Sequence, residues 1–145
     1  MAVVLSTAAR ADCLDDAANQ YGVSTDLVHA IAEGESRMRA DVVHRNANGT
    51  EDIGLMQVNS AELPTLSRYG VTRAALFDAC VNAYVGTWIF SKKIARFGPT
   101  WKAVGAYNAS SPDKQLLYAN RIYGLLMSKT SLRVPPTDNA IEQRP

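Results

Sequence analysis

The sequence predicts a mainly α domain of the α+β class, with one small antiparallel β lobe set among helices. Apolar residues recur at helical spacing over most of the chain. The stretch that breaks this period, residues 42–58, holds Asn48-Gly49, a strong two-residue hairpin signal. With 145 residues, 47% apolar and 20% charged, the chain has material for one core and one domain. A formal net charge of +1 leaves no basic excess, which argues against a nucleic-acid binder. No apolar run approaches the roughly 20 residues that a bilayer span requires, so no membrane span is expected.

Residues 1–11 read as the end of a secretory leader, the alternative being a frayed terminus without targeting meaning. Residues 3–5 are apolar, and Ala9-Arg10-Ala11 puts small residues at a cleavage spacing. Leu14, Ala17, Ala18 and Tyr21 then mark a first helix, stopped by Gly22. Ser24 or Thr25 offers the cap of a second helix running to about Ser36. The hairpin follows. Helices are expected to resume near Thr72, with an apolar, largely buried one over residues 78–97 that Gly98-Pro99 ends. A short helix from Trp101 to about Tyr107 precedes a last one, capped by Ser111 with Pro112 at its first position and ending near Met127. The domain therefore spans residues 12–127. Residues 128–145, with Pro135-Pro136 and no periodicity, read as a flexible tail, either inert or an adaptor for a partner.

The second helix holds the most chemical information. At about 100° per residue, with Leu27 at 0°, Ile31 lies near 40° and Glu35 near 80°, inside the apolar stripe; His29 near 200° and Glu33 near 240° face away. A carboxyl on a buried stripe must pair with a cation or hold its proton, and a proton held near neutral pH suits a general acid. Pairing with Arg37, Arg39 or Arg68 at the surface is the alternative. Glu51 and Asp52, beside the hairpin, are candidates for a second carboxylate across a cleft. Gly54-Leu55-Met56-Gln57-Val58-Asn59 either supplies amides of the kind that hold sugar hydroxyls and N-acetyl groups or is a plain half-buried strand. Tyr107 either orients a carboxyl group or fills the core. His29 and His44 form no metal set, and no cofactor motif is present. Cys13 and Cys80 are too far apart in sequence for a zinc motif; in an exported chain they can pair, and otherwise they are two buried thiols.

Taken together, Glu35-Ser36 at a helix end, Gly54-Leu55-Met56-Gln57 and Ala106-Tyr107-Asn108 resemble the three-part pattern of the lysozyme-like lytic transglycosylases. Cys13-Leu14-Asp15 and the segment around Cys80 are similar to the small members that accompany type III and type IV secretion, conjugation and pilus machines. Arg37 to Ala40 and Ser110 depart from the family's usual aromatic, proline and glycine at those places. The resemblance covers about residues 13–125 and implies a lysozyme-like helical domain whose hairpin lobe flanks a cleft. It implies cleavage of the β-1,4 bond between N-acetylmuramic acid and N-acetylglucosamine, with a 1,6-anhydro product. Glu35 would be the catalytic acid/base, and Ser36, Met56, Gln57, Asn59, Tyr107 and Asn108 would bind the glycan, Tyr107 by hydrogen-bonding Glu35. The implied partners are peptidoglycan strands and an envelope machine met through the tail. The implied location is the periplasm, with the chain a monomer; a hydrolytic lysozyme and a non-catalytic wall-binding subunit are the rival readings.

Overall fold

Local caps decide where the elements begin and end in the computed structural model, which describes residues 7–133 and the side chains of 11–129. Helix α1 (Thr7–Tyr21) ends at Gly22, whose φ of 65° is the left-handed conformation that glycine adopts freely. Ser24 caps α2 (Thr25–Ser36), its hydroxyl accepting the Leu27 N–H at 3.3 Å. Helix α2 closes at Arg37 and Met38, with φ of 54° and 62°. Two successive left-handed residues other than glycine make a strained reversal that the surrounding packing must hold.

The β lobe has three short strands in the order β1 (Val43–Arg45), β2 (Glu51–Ile53), β3 (Val58–Asn59), all antiparallel. His44 faces Asp52 in the first pairing and Asp52 faces Asn59 in the second. Asn48-Gly49 does lie in the turn, but the connection runs from Asn46 to Thr50 rather than over two residues, closed by the Asn46 N–H donating to the Thr50 carbonyl at 2.8 Å. Between β3 and residue 77 the chain makes only short pieces, including α3 (Leu63–Leu66) and three 3-10 turns. Pro64 and Gly70 interrupt any longer helix there.

Asp78 then opens α4 (Ala79–Phe97) by accepting the Cys80 and Val81 N–H groups, each at 2.9 Å. Helix α4 is central and packs on α1, α5 and the sheet. Phe90 and Ala83 join the larger core cluster with Leu14, Ile31, Met56 and Ile122, while Val85 joins Ile53, Val58, Leu66 and Leu76 beneath the β lobe. Gly86 makes one close approach possible, since a Cβ there would stand 2.6 Å from the Met56 side chain. Cys13 and Cys80 are joined as a disulfide that ties α1 to α4 with Cα atoms 5.2 Å apart. Closing a loop of 67 residues stabilises the fold by about 4 kcal/mol on the chain-entropy account.

Thr100 caps α5 (Trp101–Asn108), and α6 follows as Pro112–Arg133. The tail boundary expected after Met127 is corrected here. No glycine or proline stands between Gly124 and Pro135, and Leu125 and Leu126 still pack on the core, so the helix carries on to Arg133. Residues 1–6 of the expected leader and residues 134–145 of the tail lie outside the described part. None of the described helices is long and apolar enough to cross a membrane.

Candidate active site

The end of α2, the turn after β2, the hairpin and the end of α5 converge on one polar cleft of about 540 Å³, with Glu35, Asp52, Gln57, Asn59, Tyr107 and Asn108 among its walls. Glu35 is partly buried, as the helical wheel placed it. Burial raises the pKa of its carboxyl, opposing a hydrogen bond from Tyr118 and the positive charge of Arg121, which pull it down. The negative charge of Asp52 pushes it up again, and a weaker hydrogen bond from Asn108 lowers it. The net effect is upward, because desolvation of the carboxylate outweighs its partners. Arg39, one of the cations named in the alternative reading of Glu35, pairs with Asp41 at 3.3 Å.

The hydroxyl that donates to Glu35 is that of Tyr118 on α6, a residue that sequence reasoning missed. Tyr107, expected in that role, donates instead to the Met56 carbonyl at 2.7 Å, so it braces the turn behind the cleft while its ring packs edge-on to Phe90. The reason is geometric: Tyr107 leaves α5 facing the 54–57 turn, whereas α6 lies directly against α2. Burial pushes the pKa of both tyrosines up, so each hydroxyl keeps its proton and acts as a donor.

Gln57 stands at φ 53°, and its amide N–H groups donate to the carbonyls of Val42 and Gly54 at 3.1 and 2.9 Å. Its side-chain oxygen is the atom left for the cleft. Asn59 donates to Asp52 at 2.7 Å and to Thr50 at 3.2 Å, while Asn46 donates to the other Asp52 oxygen at 3.0 Å. Both oxygens of Asp52 are thus fixed by amides. Glu51 points elsewhere, bound by Arg73 at 2.7 Å, and that hydrogen bond lowers its pKa.

Ser36 and Met56 are corrections to the expected sugar-binding set. Ser36 is buried, with its hydroxyl donating to the Leu55 carbonyl at 2.7 Å and accepting the Arg39 N–H at 3.1 Å. Met56 is fully buried under α4. Both hold the wall of the cleft from behind. His29, expected to face solvent, is half-buried and joins α2 to α1 through a 2.7 Å contact with Asp15. Among the described residues no group of three or more His, Cys, Asp or Glu side chains is placed to hold a metal ion.

The sequence and the fold have counterparts in known proteins. The family model of the transglycosylase SLT domain matches residues 12–116. The chain belongs to the transglycosylase SLT-domain family. By class this SLT-domain protein is a peptidoglycan lytic transglycosylase. It is 36% identical over 143 residues to the X polypeptide of Escherichia coli, covering 92% of this chain and 85% of that protein. It is 37% identical over 106 residues to invasion protein IagB of Salmonella typhimurium, covering 72% and 66% respectively. Its fold matches a solved inactive Glu-to-Gln mutant of lytic transglycosylase Slt from Pseudomonas aeruginosa with a TM-score of 0.68 at 19% identity. The match covers 86% of this chain and spans 24% of that longer one.

Proposed function

We propose that this transglycosylase cleaves the N-acetylmuramic acid–N-acetylglucosamine bond with Glu35 as its acid/base and leaves a 1,6-anhydro end. The observation that carries the reading is a half-buried carboxyl of raised pKa that opens on a polar cleft. Protonated Glu35 gives its proton to the bridging oxygen as the bond to the muramic acid anomeric carbon breaks, releasing the 4-hydroxyl of N-acetylglucosamine. The Glu35 carboxylate then takes the proton of the muramic acid 6-hydroxyl while that oxygen closes on the anomeric carbon. Glu35 ends protonated, and no water is consumed. Gln57, Asn59, Tyr107 and Asn108, in the walls, are the residues we assign to glycan contact. A solved structure of similar fold, inactive with glutamine in place of one glutamate, supports an essential glutamate in such a domain.

One observation favours a second reading. Asp52 lies in the same cleft, fixed by two amides and close enough to act on the charge of Glu35. Two carboxylates across a cleft can hydrolyse the bond with water. Mass spectrometry of the released muropeptides separates the two: anhydro ends are expected, and reducing ends would assign the enzyme to hydrolysis. Tyr118→Phe tests the positioning of the acid. Loss of its hydrogen bond should lower kcat about tenfold with helicity unchanged. A kcat equal to that of the parent would remove Tyr118 from the machinery.

The disulfide and the wall substrate support a periplasmic location. A relative named as an invasion protein supports local opening of the wall for a secretion, conjugation or pilus apparatus. The segment beyond Arg133 is the part we assign to contact with that apparatus.

A further inference from the structure

The corner where α4 gives way to α5 lies outside the cleft, and its charge is one-sided. From Ala79 to Ser111 the chain has no Asp or Glu and four cations, Lys92, Lys93, Arg96 and Lys102, although its formal net charge is only +1. Among the described residues none of the four pairs with an acid. Three of them lie against aromatic rings instead. The Lys92 ammonium stands 4.1 Å from the centre of the Trp88 ring, and Arg96 and Lys102 both approach the Phe97 ring, at 5.0 and 5.3 Å. Two like charges held beside one ring repel each other, and an anion from outside relieves that repulsion. Lys102 also stands in the first turn of α5, where the helix dipole disfavours a positive charge.

Next to these cations the surface is apolar and partly open. Trp101, 42% exposed, and Tyr123, 49% exposed, meet edge to face with ring centres 5.3 Å apart. Trp101 also lines a pocket of about 340 Å³ together with Leu27, Phe90, Ile94, Val104 and Leu126. A cation lying on a ring keeps its charge close to apolar surface, so the counterion that fits best brings apolar material with it. A phospholipid does both. At the boundary between water and lipid, Trp and Tyr rings enter the edge of the acyl layer while Lys and Arg heads stay with the phosphates.

We propose that the corner between α4 and α5 is a peripheral docking surface for a bilayer rich in anionic phospholipid, with Lys92, Arg96 and Lys102 on the phosphates and Trp101 and Tyr123 among the upper acyl carbons. None of the described helices is long and apolar enough to cross the bilayer, so the contact is one of surface with surface. The pocket at the corner shares no lining residue with the cleft. Trp101 opens α5 and Asn108 closes it about 10 Å further along, so docking at one end leaves the cleft at the other uncovered. Such docking is independent of the cleavage chemistry.

The test is sedimentation of the full chain with vesicles of phosphatidylcholine alone and of phosphatidylcholine mixed with phosphatidylglycerol. Binding is expected to the mixed vesicles only, and it should weaken as salt is added. Arg96→Gln combined with Lys102→Gln should weaken it about thirtyfold, with the far-ultraviolet circular dichroism spectrum unchanged. Arg45→Gln, which removes an exposed charge from β1, should leave it nearly unchanged. Tryptophan emission should move to the blue on the mixed vesicles, and Trp101→Phe should remove most of that shift. Absence of binding to the mixed vesicles at low salt, equal binding to both kinds, an equal loss from Arg45→Gln, or a blue shift undiminished in Trp101→Phe would overturn the surface. Capture of soluble polyglutamate without binding to vesicles would overturn it as well and assign the corner to an acidic protein.

Discussion

Glu35→Gln is expected to lower turnover about 10³-fold, the usual contribution of a general acid, while the protein stays folded. Glutamine has nearly the same shape and can still accept the Tyr118 hydroxyl, so only the titrating group is lost. The stability of the variant should also depend on pH. Burial raises the Glu35 pKa above its ordinary value of 4.5, so the folded state favours the neutral acid. That contribution is fully present below the unfolded pKa and is lost as pH rises through the raised folded value. Glutamine never ionises. The variant should therefore match the parent in unfolding midpoint near about pH 4 and exceed it near about pH 8. A variant less stable than the parent at the higher pH would mean that the ionised carboxyl is stabilising, and the acid would then not be held protonated by its surroundings.

Asn82→Ala should cost about 3 to 5 kcal/mol of stability, the largest loss expected from a single polar side chain here. Asn82 is fully buried in α4 and makes three hydrogen bonds to the chain beneath the cleft. It accepts the Met56 N–H at 2.7 Å and donates to the carbonyls of Ile53 and Leu76, both at 2.8 Å. Alanine would leave one backbone donor and two acceptors without partners in a dry interior. The same amide fixes the turn that carries Gln57. Gly54 in that turn has φ 78°, and a Cβ there would stand 2.5 Å from the Asn82 amide. Urea unfolding followed by circular dichroism reads the loss directly. A change below about 1 kcal/mol would show that water replaces the amide, and the turn would not depend on it.

Local chemistry made much of this legible in advance. The helical period of Leu27, Ile31 and Glu35 located the acid because a helix converts spacing into direction. Asn48-Gly49 located the turn of the hairpin, though the Asn46–Thr50 closure lengthened it. What could not be read were partners set by tertiary packing. Tyr118 sits on an ordinary stretch of α6, and nothing nearby in sequence ties it to a residue in α2. Ser36 follows the acid immediately, and the wheel turns it away from the apolar stripe, yet the chain at Leu55 folds over it and buries its hydroxyl. Asn82 did leave a signal: an amide on a helix apolar on several sides has to find buried partners.

The bond between Glu35 and Tyr118 spans 83 positions in the chain. During synthesis the amino-terminal half emerges first, and Glu35 gains its hydroxyl partner only when the final long helix packs against α2. A copy that stops short of that helix therefore keeps the carboxyl without the hydroxyl that orients it.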